Sequence, residues 1–254
     1  MVVTGIGILS LASVLQPTWQ KALSVLIALT LLALMLRVDR RAGSPILPSD
    51  AFSIRSITGT GIWVALLMSV IFTQITSFMP VFLQQLHRVE ALTSGYMVAC
   101  ASLVWTMTAV SISGLTAPWP LRLIRIGPVF MFLGLAGLVL LTNQPSHWYV
   151  LPAIALMGCA MGASWAFLVQ QIMQGARTGE EDIAASSVAT VQQGGLAIGA
   201  ALAGVVANMA GFSGGLSPET AASAAFWVPL SFLPLAALGA VMAVNLARLV
   251  KAAG

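Results

Sequence analysis

The sequence predicts an all-α fold, a polytopic bundle of membrane helices, and three observations carry that expectation. The first is composition: 59% of the 254 residues are hydrophobic, 7% are charged and the mean hydropathy is +0.97, values of the polytopic membrane class. The second is run length. A bilayer core takes roughly 20 apolar residues per helix, and runs of that kind lie near 18–36, 58–82, 93–115, 126–142, 148–171, 184–209 and 225–248. The third is charge placement. All seven acidic residues and both histidines fall between these runs. A backbone facing lipid must satisfy its own polar groups, which selects helices over open sheets.

Taken in order, Val2–Leu15 is apolar but short, and reads as the tail of a helix whose beginning is absent. The expected organisation is a single transmembrane domain over 1–254, with about seven full spans after that partial one. A polar connection over 37–58 follows the 18–36 run and holds Pro45, Pro48 and four arginines, so it reads as a cytoplasmic linker ending one helix and starting another. Asp50 is a candidate cap for the turn that follows.

In the run 58–82, Ser69, Thr73, Thr76 and Pro80 share one helical face, flanked by Gln74 and Ser77. Such a stripe lines a pathway or bonds a neighbouring helix. Gln74 is the better pathway candidate, because an amide in hydrocarbon needs a partner or water. The next run carries a small-residue seam of Ala99, Ser102, Thr106, Ala109 and Ser113, which reads as helix packing. Trp105 lies beside it.

Basic residues recur in the connection Gly114–Gly127. In 148–171, Gly158 and Gly162 form a G-x-x-x-G pair that signals close helix contact, with Trp165 on the same helix. In 184–209, Gln192, Gly195 and Gly199 share a face. For Gln192 and Gln193, cavity lining and interhelical bonding both stay open. Pro229 and Pro234 are expected to kink the last helix.

If the linker faces the cytoplasm and connections alternate, Arg37, Arg40, Arg41, Arg55, Arg122, Arg125, Arg177, Arg248 and Lys251 lie inside, and only Lys21 and Arg88 lie outside. That distribution satisfies the positive-inside rule. It predicts a multi-pass protein of the cell (inner) membrane with a cytoplasmic C-terminus, and the net charge of +4 implies no nucleic-acid partner.

The sequence does not read as an enzyme, and no metal site or cofactor is expected from its motifs. Gly211-Phe212-Ser213-Gly214-Gly215 matches G-x-S-x-G, the serine-hydrolase elbow, with His87, His147 and Glu219 on the same predicted side. The elbow needs a strand before it and a helix after it, however, and this segment joins two apolar runs.

Several residues carry a family resemblance. Arg40-Arg41 followed by Pro45-Ile46-Leu47-Pro48 and Ala51-Phe52 resembles the cytoplasmic linker of the fourteen-helix drug:proton antiporters of the major facilitator superfamily. Ala91-Leu92-Thr93-Ser94-Gly95-Tyr96 resembles that branch's S-P-L-x-A-G-L entry to a helix. Gln193, Gly195, Gly199 and Gly204 are similar to its R-Q-x-G-x-x-x-G-x-x-x-x-G pattern, with Gln192 in place of the usual Arg. The Gly114–Gly127 connection lacks the acidic residue of the family's gating loop.

The resemblance implies the C-terminal half of such a fold, in which proton coupling belongs chiefly to the N-terminal half. The expected function is a secondary transporter, or that half of one, moving small organic compounds, with drug or metabolite efflux by alternating access. Thr73, Gln74, Thr76, Trp105, Trp165, Gln192 and Gln193 are the substrate-pathway candidates, and Gly158, Gly162, Gly195 and Gly199 the helix-packing ones. The partners implied are the lipid bilayer, a small-molecule substrate and an N-terminal transporter half. A non-transport membrane scaffold or assembly protein, or a non-functional fragment, is the competing reading.

Overall fold

The computed structural model describes residues 45–253, together with Thr30, Leu34, Arg37, Val38 and Asp39. Apart from Thr30 and Leu34, the runs 2–15 and 18–36 lie outside the described residues. So do Lys21, Arg40 and Arg41.

Among the described residues there is no strand. The helices are α1 (Ile57–Thr73), α2 (Met79–His87), α3 (Ala91–Ile112), α4 (Trp119–Leu141), α5 (Leu151–Gln174), α6 (Glu181–Met209) and α7 (Pro218–Ala253). With α1 and α2 taken as one span, six stretches among the described residues are long and apolar enough to cross a membrane. At 36 residues, α7 would reach about 54 Å at 1.5 Å per residue. That exceeds a hydrocarbon core of about 30 Å, so α7 must tilt or run out of the bilayer.

Ser56, not Asp50, caps α1: its hydroxyl accepts the Gly59 N–H at 3.1 Å. The linker is held by carboxylates instead. Asp39 accepts from the backbone N–H groups of Ile46 and Leu47 at 2.9 and 3.0 Å. Glu180 accepts from the Ser49 N–H and hydroxyl at 3.0 and 3.1 Å, and Arg177 donates to the Ser49 hydroxyl at 3.0 Å. The connection before α4 is shorter than the sequence suggests. Helix begins at Trp119, with Pro120 in its first turn, where a proline's fixed φ and missing donor cost nothing. Arg122 and Arg125 are therefore helical.

The first span is the centre of the bundle. Helix α1 packs against α5, α6 and α7, while α4 lies between α5 and α7, and α3 packs chiefly on α5. In their most apolar stretches the first span is 72% buried and α3 only 11%. Glycine makes the tight seams. A Cβ at Gly158 would lie 2.3 Å from the Ala101 carbonyl oxygen, and one at Gly162 2.4 Å from that of Trp105. The same holds for α6 on α1, where a Cβ at Gly199 would lie 2.3 Å from the Val70 carbonyl oxygen and one at Gly195 2.7 Å from the Ser69 side chain. Gly127 and Gly134 of α4 sit equally close to Ser164 and Met157 of α5.

The α3 face in these seams is Ala101, Trp105 and Thr108. Of the stripe Ala99, Ser102, Thr106, Ala109 and Ser113 expected from the sequence, only Ala109 lies in the seam, against Gly162, and the other four are exposed. The reason is that small residues occur on both faces of α3, and the two glycines of α5 select one of them. Pro229 and Pro234 lie inside α7, which runs as one continuous helix.

Substituting Gly158 by Ala should lower stability by about 1–3 kcal/mol, the usual cost of overpacking. The Gly194→Ala change meets open space and should stay within about 0.5 kcal/mol. Thermal unfolding of the two variants in one detergent checks the contrast.

Candidate functional site

The polar chemistry of the spans gathers around an irregular turn in the first one. Pro80 has no N–H to give, and its ring would clash with the carbonyl four residues back, that of Thr76. The helix responds by widening. Residues Gln74–Phe78 form a π turn, and the Met79 N–H reaches back five residues to the Gln74 carbonyl. Such single π turns concentrate at functional sites.

The widened turn breaks the face expected from 3.6-residue spacing. Ser69 and Thr73 are buried, but Thr76 and Ser77 come out exposed, while Met79, Phe82 and Leu83 turn inward. The Thr76 hydroxyl donates only to the Thr73 carbonyl, at 3.4 Å. Thr73 does bridge helices: its hydroxyl lies 3.0 Å from the Leu196 carbonyl of α6 and 3.3 Å from the Ser69 carbonyl of its own helix. Gln74 is 2% exposed, and neither its Nε2 nor its Oε1 has a hydrogen-bond partner. An unpaired buried polar group costs about 1–3 kcal/mol.

Trp105 and Trp165 come together. Their ring centroids are 6.3 Å apart at 66°, and Phe72 meets Trp105 edge-on at 5.6 Å and 83°. Three helices, α1, α3 and α5, thus contribute one aromatic cluster. Phe72 was absent from the sequence-derived set because an apolar residue in an apolar run carries no periodic signal. Pro80, by contrast, was a usable sign of the π turn.

Gln192 is half-buried and Gln193 exposed. The exposed stripe on α6 is Ser186, Thr190 and Gln193, at i, i+4 and i+7 spacing. The π turn packs against both α3 and α6. Exposed hydroxyls and an amide (Ser102 and Thr106 on α3, Thr76 and Ser77 on the turn, Thr190 and Gln193 on α6) are therefore carried by adjoining elements. These groups are neutral donors and acceptors, suited to holding polar parts of a small molecule. Among the described residues, no carboxylate joins them. Ser213 lies in the 3-10 turn Phe212–Gly214 and donates to the Asn208 carbonyl at 3.1 Å. No strand precedes it, as a hydrolase elbow would require.

Apolar spans joined by short connections define a polytopic bundle of membrane helices. Residues 1–200 match the Major Facilitator Superfamily, and the chain belongs to that family of membrane transporters. It is 30% identical, over 222 residues, to a "probable multidrug-efflux transporter" of Mycobacterium tuberculosis strain H37Rv, and equally to the corresponding protein of strain CDC 1551. The alignment covers 84% of this chain and 45% of each relative. The chain therefore spans less than half the length of the curated relatives it matches.

Replacing Gln74 by Leu removes an unpaired amide and should hold or raise thermal stability, by up to about 2 kcal/mol. The Thr73→Val variant loses an interhelical hydrogen bond and should cost about 1 kcal/mol. The unfolding midpoint in detergent should fall for Thr73→Val and stay level or rise for Gln74→Leu.

Proposed function

We propose that this chain forms one transmembrane domain of a secondary transporter, the C-terminal half of a fold resembling the fourteen-helix drug:proton antiporters. In this reading it forms one wall of a pathway for small organic compounds. The single observation carrying it is the polar exposure on α3, the π turn and α6. Helix α3 is apolar enough to span yet only 11% buried, and it leaves Ser102 and Thr106 exposed, as the π turn leaves Thr76 and α6 leaves Thr190 and Gln193. Such groups are rarely presented to lipid without purpose. Small and hydroxyl-bearing faces favour contact with another helix surface, and polar groups inside the bilayer favour a water-filled cavity.

Facing an N-terminal half, this wall would close a site near the bilayer midplane, with alternating access by rocking of the two halves. Thr76 and Gln193 line the pathway, together with Trp105, Trp165 and Gln192, while Thr73 and Gln74 act from behind the wall. The relatives' description as multidrug-efflux transporters supports outward movement of drugs or metabolites. The spans described offer no carboxylate, so proton coupling falls to the N-terminal half. The basic residues flanking the spans support a cell (inner) membrane location with the C-terminus in the cytoplasm.

Residues 1–254 expressed alone should insert in the membrane and give no proton-dependent efflux of a fluorescent lipophilic dye. Coexpression with the N-terminal half of the Mycobacterium tuberculosis relative should restore it. Efflux by residues 1–254 alone that collapses with the proton gradient would contradict the proposal.

A further inference from the structure

A second feature lies at the opposite extreme of polarity, where the linker enters α1 and α7 nears its end. There Ile54 and Arg55 face the last turns of α7 across an open groove of about 760 Å³, lined also by Val241, Val244, Asn245 and Arg248. Its walls are tied together by the protein itself, since the Asn245 side-chain amide donates to the Ile54 carbonyl at 2.8 Å. The groove is mostly apolar, and Ile54 and Val241 are 54% and 62% exposed. The polar side chains lining it are Arg55, Arg248 and Asn245, and no carboxylate lines it. Both arginines are exposed. Among the described residues, neither guanidinium takes part in an ion pair or hydrogen bond.

We propose that this groove is a binding site for an anionic phospholipid of the surrounding bilayer. Charge complementarity fixes the sign of the headgroup: two guanidiniums with no acidic companion in the groove suit a phosphodiester without a cationic headgroup, such as that of phosphatidylglycerol. The planar fork of Arg matches phosphate oxygens bidentately. The apolar lining excludes a purely soluble anion as the best ligand, because it offers exposed Ile54 and Val241 and half-buried Val244 to acyl chains. The level is also right. Arg55 stands two residues before α1 begins and Arg248 five before α7 ends, where an apolar span meets the headgroup layer. Basic pockets between membrane helices at that level hold anionic headgroups. The lipid clamps the start of α1 to the end of α7.

The test uses residues 1–254 purified in a neutral detergent, with lipid binding read by native mass spectrometry and thermal unfolding. Phosphatidylglycerol should bind roughly tenfold or more tightly than phosphatidylcholine and raise the unfolding midpoint. The double substitution Arg55→Gln/Arg248→Gln should abolish that preference, and Arg55→Lys/Arg248→Lys should retain much of it. A control pair on the same face, Arg122→Gln/Arg125→Gln, should leave it intact. Equal binding of the two lipids by the unsubstituted protein overturns the proposal. So does equal loss in both Gln pairs, which would mean diffuse attraction, or full protection by glycerol 3-phosphate, which would mean a soluble-anion site. An unchanged preference in Arg55→Gln/Arg248→Gln also overturns it.

Discussion

Gly158 and Gly162 bring the backbone of α5 against the carbonyls of Ala101 and Trp105, and Gly195 and Gly199 bring α6 against Leu66, Ser69 and Val70. In hydrocarbon these approaches matter more than they would in water. Lipid tails are as apolar as leucine side chains, so burying an apolar surface gains little, and association depends on close van der Waals packing and interhelical bonds. The glycines allow both. With the α6 backbone this close, the Thr73 hydroxyl reaches the Leu196 carbonyl. The remaining arrangement follows from these seams: α1 is enclosed by α5, α6 and α7, while α3 is held along one edge only and keeps its other face open.

That enclosure lets the first span tolerate a defect. Pro80 removes a donor and forces a π turn, which needs neighbours to be stable in lipid. Neighbouring α3 and α6 pack on it. The turn then sorts the polar residues that a regular helix would have kept together, placing Thr73 and Gln74 inside and Thr76 and Ser77 outside. The buried Gln74 amide without a hydrogen-bond partner is the local cost of that sorting, a cost that a leucine packed there would not carry.

The spans were legible because length and hydropathy are the properties a bilayer selects. The helical segments Ala91–Ile112 and Glu181–Met209 fall within a few residues of the apolar runs 93–115 and 184–209. Membership of the superfamily was legible in the linker, the α3 entry and the glycine pattern of α6, and the family match agrees. What the sequence hid is geometric. A 3.6-residue period placed Thr76 with Ser69 and Thr73, and fails once the turn widens. The stripe Ala99, Ser102, Thr106, Ala109 and Ser113 looked like a packing seam, yet of its members only Ala109 meets a glycine, and Ala101 and Trp105 supply the closest contacts. Small residues mark faces that can be approached, without saying which partner approaches. Gly127 and Gly134 went unread for a related reason, since a glycine in an apolar run shows its contact only when the neighbouring helix is known.

The division of labour among polar residues follows from the same physics. Carboxylates are costly in hydrocarbon, and in this chain they act at the ends: Asp39 folds the linker back on Ile46 and Leu47, and Glu180 ties Ser49 to the α5–α6 connection. Hydroxyls, amides and indoles occupy the spans. Those groups hold a ligand or a neighbouring helix without changing charge. A wall built from them can shape a pathway and distinguish small molecules by hydrogen bonding and stacking, but it has no group that takes up and releases a proton near neutral pH. Energy coupling in the transporter proposed above must therefore enter from the surface this wall faces, and the open face of α3 is where the two would meet.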